Sequence, residues 1–538
     1  MEIRNILSWV SRQWDQNPLK VIMILALFTR LLTAFFSPGF LFHDDHFDVI
    51  TPAQNWVYGL KQWMDPTDPP RHSMFFAGIH YLILYGLESM GLVDAGLKML
   101  VTRVFHASYS LLTVYLGYKL TETISNRTNA SLVGLNLTLL WFMPFYSVRN
   151  LVEMACIPPV LYGFYMLVSL GKNDRKHWVW WVLAGGMFGI AFSLRYHTIL
   201  LAGGLGLVLL YRKEWIGSIL FSSGFLFLSF VLIGLIDIQF YEYPFHSIVR
   251  YYEFNAANAY NFITGPPYKF IIVVFGFLIP PVSLMLMVGF IKSHKIEPMM
   301  FIAVLVFFLF HSFFPNKQER FMLPILPLIV ILGTIGWQKY YQHSDFWQQR
   351  KKIISYSWKF FWILNVLAVL LLAFTYPKRG RIETMRYLGK QPDLGSVVME
   401  TSRTKLKANP EFYLGKMAAR FKPFQSNRNY TWTGFKEAGR HLSGDFVLVF
   451  TLTTKKSLEH LQLEIKETGK RPNYITFLGK ENLELRIERM VRDYGSLEFK
   501  KYIPASDYDN FLHFLNPKHN HDENAWIYKV KEFKLDLD

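Results

Sequence analysis

Nine residues, Phe40-Leu-Phe-His43-Asp44-Asp45-His46-Phe47-Asp48, gather three carboxylates and two imidazoles just beyond the first long apolar run. Carboxylates crowded at a membrane boundary lose hydration and feel one another's charge. Both effects raise a pKa toward working pH, which suits removal of a proton from a hydroxyl. Asp44 and Asp45 are therefore the candidate bases, with His43 and Asp48 beside them as candidate substrate contacts. The same oxygens and nitrogens could ligate a divalent metal; the plain alternative is a hydrated loop with helix-capping aspartates. A second group is cationic: Arg149 with Glu153, Arg195, and Lys317 with Arg320. Such cations can hold a phosphate, a guanidinium through a bidentate fork. Their plain alternatives are snorkelling at the interface and simple ion pairing. Asn255 lies in an aromatic stretch, Tyr251-Tyr-Glu-Phe-Asn255, that suits stacking on a sugar or residence at a membrane interface.

What must position these residues is a bilayer. The chain has 538 residues, 51% apolar and 17% aromatic, and a formal charge of +17. Charge is unevenly spread: residues 376–538 hold 29 basic and 21 acidic side chains, and the first 375 residues only 28 and 19. That excludes a single water-soluble globule, a disordered chain and a coiled coil. The lone cysteine, Cys156, allows no intrachain disulfide. The basic excess is scattered over short loops, as membrane orientation requires, and does not point to nucleic acid. Met1–Gln16 reads as an interfacial amphipathic helix, and Val21–Phe36 as a retained first span and not a cleaved signal.

A crossing helix needs roughly 17–25 mainly apolar residues. Eleven stretches are candidate spans, at about 18–36, 99–119, 129–146, 154–170, 177–192, 197–211, 215–237, 270–291, 298–314, 322–338 and 353–375. Ser73–Leu92 is long enough but carries His80 and Glu88. If it lies along the interface, the basic loops Lys172/Arg175/Lys176, Arg212/Lys213, Lys292/Lys295 and Lys339/Arg350/Lys351/Lys352 share the inside with Arg4, Arg12 and Lys20. If it crosses, they lie outside. The positive-inside rule favours the first arrangement. The candidate site residues then all fall on external loops, where costly ionisable groups imply a functional pocket.

The acidic stretch and its continuation, Val49-Ile-Thr-Pro-Ala53-Gln-Asn-Trp-Val57-Tyr-Gly59, resemble the first external loop of GT-C glycosyltransferases. Within them it is similar to the lipid-linked mannosyltransferases that build N-glycan and GPI precursors. That loop carries His-Pro-Asp-Glu, then an Ala and a Val-x-Gly at spacings that Ala53, Val57 and Gly59 match. Anchoring on those three sets Asp44 at the family's aspartate and Asp45 at its glutamate; anchoring on the histidine favours Asp45. The His-Pro itself is absent. Asn316-Lys317-Gln-Glu-Arg320-Phe321-Met-Leu-Pro324 is similar to the family's His-Lys-Glu-x-Arg-Phe motif, with Asn316 and Gln318 as departures. Arg149-Asn-Leu-Val-Glu153, Tyr251–Asn255 with Gly265-Pro-Pro, and Arg195 in its turn carry weaker likenesses.

The resemblance implies a polytopic α-helical membrane protein of about eleven transmembrane helices, GT-C-like, over residues 1–375. A C-terminal soluble α/β domain, 376–538, follows outside the membrane. It also implies an inverting enzyme that takes a sugar, mannose by preference, from a polyprenyl-phosphate donor. The acceptor is a hydroxyl of a glycan, lipid or protein on the extracytoplasmic face. Asp44 or Asp45 is the base; His43, Asp48, Arg149, Glu153, Arg195, Asn255, Lys317 and Arg320 bind substrate. No cofactor is expected, a divalent metal remaining an alternative, and no nucleic-acid partner. The bacterial cytoplasmic membrane is the preferred location and the endoplasmic reticulum membrane the alternative; Asn429-Tyr-Thr431 is a glycosylation sequon that decides nothing. The rival of another class is a transporter or flippase of lipid-linked sugars, which internal repeats would favour. In the tail, 396–400, 445–450, 474–477 and 525–530 read as strands, and 382–388, 454–468 and 506–515 as helices.

Overall fold

The computed structural model describes residues 12–59, 72–170, 178–241, 243–403, 409–420, 447–453, 458–518 and 520–532. Outside them lie most of the N-terminal amphipathic helix with Arg4, the basic loop Lys172/Arg175/Lys176 and the sequon Asn429–Thr431. The starts of the expected elements at 445 and 454 lie outside them too. The chain forms two compact units. The first comprises Met1–Phe36, Asp68–Phe76 and Thr102–Phe374; the second comprises Ser37–Thr67, Ala77–Val101 and Thr375–Asp538. The chain passes from the first unit to the second where the apolar part ends in the sequence, but much of the long loop 37–98 also belongs with the tail.

The first unit is helical, and each of the eleven stretches marked as spans is largely helix. Among the described residues, five helices are long and apolar enough to cross a membrane: Pro18–Phe36, Val152–Ser169, Trp215–Phe240, Glu319–Gln342 and Lys351–Ala373. A sixth is counted if Lys269–Phe277 and Val282–Lys295, bent by 117°, form one span. Trp178–Leu194, Tyr196–Tyr211 and Pro298–Phe313 are apolar but shorter. The bend falls at Pro280-Pro281, where two missing N–H donors end the helical ladder.

The expected span 129–146 is broken into Arg127–Leu139 and Phe142–Ser147. A break in apolar surroundings frees carbonyls that water cannot reach, so side chains must take them. Arg30, fully buried in the first span, does this: Nη2 donates to the Leu137 carbonyl (3.1 Å), Nη1 to that of Thr138 (3.4 Å), and Nε to Ser110 Oγ (2.9 Å). Asn365 completes the repair by accepting the Trp141 N–H (2.9 Å) and donating to the Leu139 carbonyl. Small residues let the helices approach. A Cβ on Gly185 would lie 1.9 Å from the Phe221 carbonyl oxygen, and one on Gly289 1.9 Å from that of Gly333.

The second unit joins the acidic loop to an α/β sheet. The loop is helical from His43 to Val57, with a wide turn at His46–Ile50 of the kind often found at functional sites. Met74–Ser89 is a helix of 16 residues; Glu88 at its end pairs with buried Lys98, which also donates to Gln54 (3.2 Å). The sheet comprises β1 (Ser396–Thr401), β2 (Ala418–Arg420), β3 (Val447–Leu452), β4 (Tyr474–Leu478), β5 (Leu497–Ile503) and β6 (Ala525–Val530), in the order β2-β3-β1-β4-β6-β5. β2, β3, β1 and β4 are parallel; β6 runs antiparallel to β4, and β5 antiparallel to β6. Helices Leu458–Thr468 and Leu483–Tyr494 pack Leu461, Ile465, Met490 and Tyr494 onto Val398, Phe450, Ile475 and Phe477. The unexpected strand β5 has a half-wet, lysine-bearing edge, and charge on an edge strand masks its alternation in sequence.

Candidate active site

The acids open a helix. Asp44 and Asp45 occupy the first turn of the helical run that starts at His43, where the N-terminal dipole favours negative charge. They differ in surroundings. Asp45 is 4% exposed and its Oδ2 accepts the Phe42 N–H at 3.3 Å, so it closes the turn that begins the helix. Asp44 is half-buried, as is Asp48. His43 is exposed and stacks on Phe47, with centroids 4.5 Å apart. All four belong to the second unit.

Arg149, Glu153, Arg195, Asn255, Lys317 and Arg320 belong to the first unit. Three of them converge. Glu153 is fully buried, and its Oε1 lies 3.4 Å from Arg195 Nη2 and 3.6 Å from Arg320 Nε. These are ion pairs too long to be good hydrogen bonds. Arg195 Nη2 and both Glu153 oxygens have no hydrogen-bond partner among the described residues. Arg320 Nε donates to Gln318 Oε1 at 3.0 Å, so the glutamine that departs from the family motif holds the arginine. The Phe321 ring sits under Arg195 at 5.2 Å and against His197 and His311 at 5.5 and 5.8 Å.

Lys317 is 1% exposed, and its ammonium donates to three main-chain carbonyls: His311 (2.7 Å), Ser312 (2.8 Å) and Phe314. It thus caps the C-terminal end of helix Pro298–Phe313, where four carbonyls lack helical partners. Burial, with the nearby Lys269 ammonium second, pulls the Lys317 ammonium below its ordinary value. Lys269 in turn donates to the Lys317 carbonyl (3.0 Å) and pairs with Glu319 (3.5 Å). Arg149 donates to the Phe145 carbonyl and lies over the Phe145 ring at 3.8 Å; Asn255 donates to the Tyr251 carbonyl of its own helix at 2.8 Å.

Two histidines had no assigned role in the sequence. His197 and His311 pack edge to face at 4.9 Å beside the arginines. His311 Nδ1 lies 2.8 Å from the Phe307 carbonyl, which can only accept, so Nδ1 carries the proton and Nε2 presents a lone pair. His197, two residues beyond Arg195 in the same turn, was the readable signal; His311 sits on an apolar helix and gave none. Among the described residues no group of three or more His, Cys, Asp or Glu could hold a metal ion.

A family model described as the Alg9-like mannosyltransferase family matches residues 21–397, well over half of the chain. The chain belongs to this family. The GT-C resemblance read from the first loop and the Lys-x-x-Arg-Phe segment is thereby borne out. The match takes in every candidate site residue and ends within β1, leaving most of the tail beyond it. GPI mannosyltransferase 3 of Saccharomyces cerevisiae is 26% identical over 185 residues, 32% of this chain and 29% of the yeast protein. The matched stretch therefore spans less than a third of that relative's length. Structures of ArnT from Cupriavidus metallidurans, bound to undecaprenyl phosphate and in the apo state, share the fold. Each has a TM-score of 0.58 over 94% of this chain and 97% of that chain, at 11% and 12% identity. The Alg9-like chain is accordingly a multi-pass membrane protein of GT-C type carrying a C-terminal sheet.

Proposed function

We propose that this Alg9-like protein transfers a sugar, mannose by its family, from a polyprenyl-phosphate donor to an acceptor hydroxyl, with inversion. The observation that carries the proposal is Arg195: a buried guanidinium, ion-paired to Glu153, whose Nη2 has no hydrogen-bond acceptor among the described residues. An orphan donor of that charge calls for an anionic oxygen, and a lipid-linked phosphate supplies one while its chain stays in the bilayer. That ArnT binds undecaprenyl phosphate on the same fold supports this donor class. Arg195 and Arg320 hold the departing phosphate and stabilise its charge. Lys317 shapes the loop that presents Arg320. His43, Asp48, Arg149 and Asn255 are assigned to substrate contact.

Asp44 is the base. It is more exposed than Asp45, whose carboxylate is engaged in closing the helix start. As the acceptor oxygen bonds to the anomeric carbon, the bond from that carbon to the phosphate oxygen breaks, and the hydroxyl proton passes to Asp44. The polyprenyl phosphate leaves, and no covalent enzyme intermediate is needed. Phosphate neutralisation falls to guanidinium groups, so turnover is expected to survive chelation by EDTA.

The reaction is assigned to the extracytoplasmic or lumenal face, with the loop 37–59 and the tail both on that side. The sequence relative comes from yeast, which favours the endoplasmic reticulum membrane over the bacterial cytoplasmic membrane preferred from the sequence. The deciding assay uses the full chain in liposomes with radiolabelled polyprenyl-phosphate mannose and membrane-derived acceptors. Asp44→Asn should lower turnover by about 10²–10⁴-fold, the usual contribution of a general base. Asp45→Asn should cost less in turnover and more in thermal stability. Wild-type turnover in Asp44→Asn rejects the assignment.

A further inference from the structure

The tail carries no catalytic motif, yet within the second unit it meets the acidic loop through a run of specific contacts. At the loop's entry Ser37 Oγ donates to the Thr375 carbonyl at 2.7 Å. Gly39, at φ +98°, passes so near the linker that a Cβ there would lie 2.1 Å from the Pro377 carbonyl oxygen; only glycine allows both the angle and the approach. Next, Arg381 is fixed by Glu523 through Nε (2.7 Å) and Nη2 (3.1 Å), both side chains buried, and its guanidinium lies 5.6 Å from the centroid of the Phe40 ring. Phe40 stacks on His46, with centroids 4.8 Å apart and planes within 16°. His46 also stacks on Tyr413, at 5.5 Å and 14°, and the Phe412 ring stands at 81° to it, 5.9 Å away.

His46 is the residue after Asp45, and it begins the wide turn of the helix that carries both acids. A ring stacked on two aromatic neighbours acts as a clamp on that helix, because the preferred stacked geometries restrict tilt and offset together. The clamp is built from distant parts of the tail. Tyr413 comes from the short helix Glu411–Leu414 between β1 and β2, Arg381 from helix Arg379–Gly389, and Glu523 from the approach to β6. Holding all three together requires the folded sheet.

We propose that the C-terminal domain is the positioning element for the acidic loop. Tyr413 and Arg381 are its positioning residues, acting on Asp44 through the His46 stack. The proposal rests on the base assignment above and gives the tail a task in the reaction: the domain sets where the proton acceptor stands. It requires that turnover depend on tail residues which touch neither the phosphate nor the reacting carbon. A displacement of about 1 Å in a reacting group can cost 10²-fold in rate.

The test uses the full chain in liposomes, with kcat and the donor KM measured separately. Tyr413→Leu should lower kcat by about 10–100-fold with the donor KM within about twofold, since the phosphate-binding arginines belong to the other unit. Tyr413→Phe keeps the ring and should restore most of the rate. His46→Leu and Tyr413→Leu should be non-additive, the double variant falling less than about threefold below the worse single one. Full activity in Tyr413→Leu, a failure of Tyr413→Phe to rescue, additivity with His46→Leu, or a loss expressed mainly in the donor KM would each overturn the proposal. The base assignment fails separately, by an active Asp44→Asn variant, because the coupling is read between His46 and Tyr413.

Discussion

Fully buried Glu153 lies between two guanidinium groups that are themselves nearly buried. Breaking such an arrangement by removing one partner strands the others, which typically costs about 3–5 kcal/mol. Glu153→Gln should therefore lower the thermal midpoint markedly. The same change makes the cluster more cationic, so polyprenyl phosphate should raise the midpoint of the variant by more than it raises that of the wild type. Equal shifts in the two proteins would count against phosphate binding at this cluster. From the sequence, Glu153 reads as an acid that orients the acceptor or as the ion-pair partner of Arg149, which lies in the same short stretch. The fold pairs it with Arg195 and Arg320. Lys317 shows the same limit: its residue type fits a phosphate, but its three donors point to the carbonyls of the preceding helix end.

Helices in this protein are defined as much by how their breaks are repaired as by their apolar length. The interruption between Leu139 and Phe142 is served by Arg30 from the first span and Asn365 from Lys351–Ala373. Asn365→Leu leaves the Trp141 N–H and the Leu139 carbonyl without this partner, at about 1–3 kcal/mol for each group. Thermal unfolding of the variant in a single detergent should show that loss, while the donor KM of the surviving fraction stays unchanged. An undiminished midpoint would mean that other groups satisfy the break. Apolar length located the stretch 129–146 without marking the interruption; the signal for it was Pro144, whose missing N–H removes the α-helical donor to the Leu140 carbonyl. The bend at Pro280-Pro281 was legible in principle, since proline removes donors whatever surrounds it.

At the scale of the molecule, the acidic loop and the tail fold as one unit, so both must lie on one side of the bilayer. Single cysteines at Met90 and Phe514, exposed by 78% and 81%, should react with an impermeant thiol reagent from the same side in a Cys156→Ser background. Labelling of Met90→Cys and Phe514→Cys from opposite sides would contradict the shared unit. Composition alone marked the helical stretches and the end of the apolar part near residue 375, because apolar length and charge are local properties. The family followed from short motifs for the same reason. What only the tertiary structure decided is which charges meet and which side chains close a helix. It also decided that the loop from Ser37 belongs with a domain more than three hundred residues away in sequence. Those outcomes depend on approach distances and on the need to satisfy every buried polar group, and neither is written in any one segment of the chain.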